Sequence, residues 1–274
     1  MNLGEYLKKG RSAVFFSATL LPMNYYRKLL SNRQDDYGIY VESPFSQKNR
    51  CILNAGDVSS LYSRRGYEEY HKIAEYIART VWQHKGNYMV FFPSYKMLEE
   101  VYAVYEEEFS VNWVKCICQN SSMKEQEREE FLQEFEQNQE SLVAFCIMGG
   151  IFSEGIDLLG EKLIGAILVG TGLPQLGNER EILRSFYTEN GENGFDYAYR
   201  YPGMNKVLQA AGRVIRTRED HGVILLLDER FRQREYSNLF PVEWNDRKTC
   251  TLSNVEAQLQ KFWESIPDKI SHKL

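Results

Sequence analysis

Short apolar runs recur along this chain, each followed by a longer stretch whose apolar residues are spaced three or four apart. The runs are 13–17, 88–92, 114–118, 142–147, 163–169 and 223–227. Four to seven residues of near-continuous Val, Ile, Leu, Phe, Ala and Cys, without polar alternation, predict strands buried on both faces, as in a parallel sheet. The intervening segments 67–82, 95–109, 123–136, 179–189, 204–215 and 255–265 predict helices. Strand and helix in alternation imply an α/β fold, a doubly wound and mostly parallel sheet with right-handed crossovers. Segment 123–136 is dense in Glu and Gln, with Phe131, Leu132 and Phe135 spaced for one face, which predicts a solvated helix lying along one side. The stretches 47–65 and 188–202 show the least periodicity and are read as irregular.

The 274 residues suffice for a sizeable core, and 43% hydrophobic with 26% charged is an ordinary globular balance. A net charge of −5 excludes attraction to nucleic acid by the surface as a whole, so any strand must lie in a local groove. Cys51, Cys116, Cys118, Cys146 and Cys250, without an apolar signal segment at the start, read as free thiols in a reducing cytoplasm. Cys116 and Cys118 share one strand face but lack further ligands at metal spacing, so no metal site is expected. No run approaches the roughly 18 apolar residues of a membrane span.

In open parallel sheets, ligands gather where loops leave the C-terminal ends of strands. Gln209-Ala-Ala-Gly212-Arg213-Val-Ile-Arg216-Thr217 precedes the last run. Read as helix, the spacing of three sets Arg213 and Arg216 on one face, where two guanidiniums can offer forked donors to a phosphate and Gly212 admits a close partner. A bare pair of arginines at this spacing is otherwise an ordinary salt-bridged surface. Phe152-Ser153-Glu154-Gly155-Ile156-Asp157-Leu158 follows the run 142–147; its carboxylates, three apart around a glycine, suit either a capped turn or the orienting of a ribose, a backbone or an arginine. Val90-Phe-Phe-Pro-Ser94-Tyr95 ends a strand with a hydroxyl placed as a helix N-cap, a position that also suits a phosphate. Phe16-Ser17-Ala18-Thr19-Leu20 closes the first run.

Taken in order, these four segments resemble motifs III, IV, V and VI of superfamily 2 helicases, with Ser17 and Thr19 in motif III and Arg213 and Arg216 in motif VI. Gly172-Leu173-Pro174, and Asp220-His221-Gly222 ahead of Leu227-Asp228-Glu229-Arg230-Phe231, look like the XPD/DinG branch; the resemblance covers residues 12–231. It implies a RecA-like C-terminal motor domain, with residues 1–20 as the end of the first motor domain or a linker carrying motif III, and 21–274 as the second domain. The closeness of motif III to Met1 reads as a fragment.

By the same resemblance, ATP and Mg²⁺ are held mainly by the first motor domain of the same polypeptide, which brings Walker A and Walker B. Arg213 and Arg216 then stabilise phosphate charge, and Gln209 is a nucleotide or coupling contact. Gly212, Glu154, Gly155, Asp157, Ser17 and Thr19 serve ATP binding or interdomain coupling. Ser94, Tyr95, Gln119 and Ser153 face single-stranded DNA. An iron–sulfur cluster, where the family has one, belongs to the other motor domain. No G-x-x-x-x-G-K-[ST] occurs, so Leu225-Leu-Leu-Asp228-Glu229, which mimics a Walker B strand, reads as a strand end with salt-bridging acids, and the chain alone should not hydrolyse ATP. The reading from a different class is a non-enzymatic nucleic-acid-binding or regulatory module that keeps the same fold.

Overall fold

A strand covered on both faces needs apolar side chains at every position, and the central strands satisfy this: 87–92, 165–169 and 222–227 are buried at every residue. The computed structural model describes residues 3–31, 33, 35–137, 140–153 and 158–267. Along the chain run α1 (Leu3–Leu7), α2 (Met23–Leu30), β1 (Arg50–Ala55), α3 (Tyr67–Trp82), β2 (Asn87–Phe92), α4 (Tyr95–Glu108), β3 (Val114–Cys118) and α5 (Glu125–Gln137). They continue with β4 (Ser141–Ile147), β5 (Gly165–Val169), α6 (Asn178–Glu189), α7 (Tyr201–Ala211), β6 (Gly222–Leu227), α8 (Arg234–Ser237), β7 (Lys248–Cys250) and α9 (Val255–Ser265). The strands form one sheet in the order β3-β4-β2-β5-β6-β1-β7, every pair parallel.

Period two splits the strands' side chains between two cores. Val90, Phe92, Phe145, Ile167 and Leu225 pack under α3, α4 and α9, whereas Met89, Phe91, Ala144, Leu168 and Ile224 pack under α5 and α7. The fold is the expected doubly wound, RecA-like sheet. Among the described residues no helix is long and apolar enough to cross a membrane, and no group of three or more His, Cys, Asp or Glu is placed to hold a metal ion.

Several local expectations are corrected. Residues 13–17 form no strand: they are exposed, Val14 at 84% and Phe16 at 90%, and among the described residues no strand pairs with them. The stretch 47–65 is not a loop throughout; it contains β1, whose polar Arg50 and Asn54 hide a fully buried strand from a hydrophobic reading. The stretch 188–202 is largely helical, closing α6 and resuming as a π-helical turn, Asp196–Arg200, that runs into α7. The helix expected over 204–215 stops at Ala211, capped at Gly212. Arg213 therefore sits in the following turn and Arg216 in non-helical chain beyond it, so the two arginines do not share a helical face.

Candidate functional site

Where α7 ends, Gly212 N–H still reaches back to Leu208 O at 2.9 Å, and the chain then turns towards β6. Arg213, half-buried in that turn, donates from Nε and Nη2 to the carbonyl oxygen of Ser153, at 3.2 and 3.0 Å. Arg216 is exposed, and its own backbone is clasped: Asp220 accepts from Arg216 N–H, Thr217 N–H and Thr217 Oγ1, each at 2.7 Å. Burial of Asp220, 4% exposed, works to raise its pKa, but these bonds outweigh burial and hold the carboxyl below the ordinary carboxylate range. Val214, buried between the arginines, pins the loop from the other side: a Cβ on Gly222 would lie 2.3 Å from its Cγ1 and 2.5 Å from Ile164 O, so only glycine lets the loop lie this close to the start of β6.

The segment with Ser17 and Thr19 docks onto the same end of α7. Ser17 Oγ accepts from Thr19 N–H at 3.2 Å and pairs with Thr19 Oγ1 at 3.3 Å, a local hydroxyl turn. Asn205 of α7 is oriented by its surroundings so that its oxygen accepts from Tyr26 OH while its nitrogen donates to Thr19 O at 3.2 Å and Leu21 O at 3.3 Å. Thr19, Gly212 and Arg216 consequently line one cavity of about 380 Å³, roofed by Leu208 and Ala211 of α7 and floored by Arg50 and Ile224 of the sheet. A larger cavity of about 570 Å³, around His84, Glu161, His221 and Trp263, contains none of the candidate residues, and size alone does not make it the site.

Ser94, Tyr95, Gln119 and Ser153 gather at the C-terminal ends of β2, β3 and β4. Ser94 is the expected N-cap of α4, accepting from Met97 N–H at 3.3 Å. Gln119 is buried, with both ends of its amide engaged: Oε1 accepts from Ile147 N–H at 2.9 Å and Nε2 donates to Tyr95 Oη at 3.1 Å. Ser153, also buried, donates from Oγ to Gly150 O at 2.8 Å and offers its own carbonyl to Arg213. Hydrogen bonds thus link Tyr95 through Gln119 to the end of β4, and the turn that follows β4 to Arg213. Gln209 lies half-buried on α7 and is not among the residues lining the cavity. Glu154, Gly155 and Asp157 lie outside the described residues.

Asp228 and Glu229 are engaged as ion pairs. Asp228, fully buried, holds Arg230 Nε at 2.8 Å and accepts from Ser60 Oγ at 2.6 Å; Glu229 meets Arg64 at 3.1 Å. Sequence reasoning missed Asn205, Arg50 and the clasp of Asp220. Only Asp220 left a trace there, an acid three residues after Thr217, the spacing of a local side-chain cap.

The family model described as helicase C-terminal domain matches residues 77–247, well over half of the chain. The regulator of telomere elongation helicase 1 homolog of Aedes aegypti is 28% identical over 284 residues, covering 94% of this chain and 28% of that protein. A protein of Methanocaldococcus jannaschii named "Probable ATP-dependent helicase" is 26% identical over 206 residues, covering 70% of this chain and 31% of its own. The chain spans under a third of the length of these relatives. A solved XPD helicase superposes with a TM-score of 0.64 at 20% identity, over 86% of this chain and 42% of that one, which shows a shared fold. The family model places this chain in the helicase C-terminal domain family, and its motif order and parallel sheet are like those of the XPD/DinG branch of superfamily 2.

Proposed function

We propose that this chain is the second motor domain of an ATP-dependent DNA helicase, whose first motor domain lies in the same polypeptide and holds most of the ATP and Mg²⁺. Residues 1–20 are the end of that first domain or the link to it, and 21–274 the second domain. The observation that carries the reading is the shared cavity: Thr19 of motif III and Gly212 and Arg216 of motif VI line it together, although nearly two hundred residues of chain separate them. An exposed arginine on a clasped loop, sharing a cavity with Ala18 and Thr19 just after the exposed apolar run 13–17, suits a surface that closes on another domain.

Bound in that closed cleft, ATP supplies the phosphoryl transfer whose developing charge the site has to meet. Arg216 stabilises that charge as an arginine finger. Arg213 sets the loop's position through Ser153 O, Gln209 supports the nucleotide or coupling side, and Glu154, Gly155 and Asp157 organise the cleft edge. Ser17 joins Thr19 in relaying nucleotide state. Single-stranded DNA runs over the C-terminal ends of β2 to β4, where Ser94 and Tyr95 face the strand while Gln119 and Ser153 hold the surface beneath it. The linkage from Tyr95 through Gln119 and β4 to Ser153 and Arg213 gives strand and nucleotide a physical connection.

The test is ATP hydrolysis and duplex unwinding by the native full-length polypeptide, with and without single-stranded DNA. DNA-stimulated turnover with strand separation is the expected result; a folded, nucleotide-binding protein that does neither is a binding module instead.

A further inference from the structure

We propose that Arg50, the first residue of β1, is a second phosphate-holding residue of the cavity beneath the end of α7, working beside Arg216. The proposal rests on reading that cavity as the nucleotide face. Arg50 pairs in register with Gly222, so it lies beside the strand into which the motif VI loop feeds. It is 8% exposed and lines the same cavity as Thr19 and Arg216.

Its fold meets its charge with one long ion pair and leaves part of its fork unused. Nη2 donates to the backbone oxygen of Glu243, which fixes the side chain, while the nearest carboxylate, that of Asp246, stands 3.8 Å away, beyond hydrogen-bond length. Nε is buried and has no hydrogen-bond partner. A buried guanidinium with an idle donor is costly unless something completes it. The carboxylate of Glu243, also in the lining, accepts from Tyr40 OH.

The cavity, about 380 Å³, falls within the range of small-molecule sites. Two guanidiniums in one lining, with Phe45 and Trp244 as its apolar wall, suit a polyanion that accepts forked donors, which identifies the triphosphate of a nucleotide as the ligand class. Neither composition nor spacing marks Arg50 in the sequence, because it reads as the polar start of an unrecognised strand.

The direct experiment titrates the ¹⁵N-labelled chain with inorganic tripolyphosphate, and then with ATP, following the arginine Nε–H signals by NMR. The Arg50 Nε–H signal moves saturably with either ligand, Arg50→Met weakens binding about tenfold or more, and Arg50→Lys keeps part of it. An unmoved Arg50 signal in the wild type overturns the assignment, a result that does not depend on any variant folding. Binding abolished by Arg216→Ala but untouched by a folded Arg50→Met leaves the nucleotide face standing and removes Arg50 from it. Tripolyphosphate that moves neither guanidinium removes both.

Discussion

Arg213 places Nε and Nη2 on one acceptor, the carbonyl oxygen of Ser153, at 3.2 and 3.0 Å, and so fastens the loop after α7 to the turn after β4. The same carbonyl belongs to a residue whose hydroxyl and amide both bond Gly150 O, so the turn is held from within and from across the sheet. Arg213→Lys removes the fork but keeps the charge. Exchange of the Ser153 amide should quicken about five- to thirtyfold, the loss of roughly 1–2 kcal/mol of local protection, while global unfolding changes little. Unchanged exchange would mean the fork does not hold the turn.

Asp220 makes stability depend on acid. A carboxyl held below its ordinary range in the folded state stabilises the protein at neutral pH, and that contribution disappears as pH falls through the folded-state value, on the acid side of the usual carboxylate range near ~3.9. Asp220→Ala should cost about 2–3 kcal/mol in urea denaturation at pH 7, and the gap from wild type should shrink as pH approaches ~3. A gap independent of pH contradicts the clasp. Asp228, also held low against the pull of burial by Arg230 and Ser60, titrates alike in both proteins and cancels in the comparison.

Gly222→Ala forces a methyl against Val214 and the Ile164 backbone. The expected cost is about 1–3 kcal/mol, and Val214→Ala restores only part of it, because the Ile164 carbonyl remains in the way. Full rescue by Val214→Ala would show that the backbone contact gives way freely.

Burial raises Cys116 and Cys118 to about 12, with Glu106 adding to the effect at both. Iodoacetamide at pH 8 should label these thiols in the native chain at least about a hundredfold more slowly than in urea. Equal rates would place them in solvent.

The sheet was legible because β2, β4, β5 and β6 are buried on both faces and therefore spell continuous apolar runs. β1 was not: Arg50 and Asn54 interrupt its pattern, and their burial depends on neighbours distant in sequence. β7, three residues at the sheet edge, is too short for any periodicity. Residues 13–17 have the composition of a strand, but composition cannot supply the partner that a strand requires. At the site, the arginines were found by their spacing, whereas their geometry was misread. Gly212 caps the helix after Ala211, but Val214 in the following turn is also buried and continues the apolar spacing, so the periodic pattern overshoots. The Arg213–Ser153 bond joins residues 60 apart and leaves no local signature.

The most direct test of the central claim is ATP turnover by the full-length protein carrying Arg216→Ala, measured with saturating single-stranded DNA. If Arg216 meets charge on the transferred phosphoryl group, turnover falls by about 10³-fold or more while DNA affinity is largely kept. Wild-type turnover in the folded variant would contradict the account.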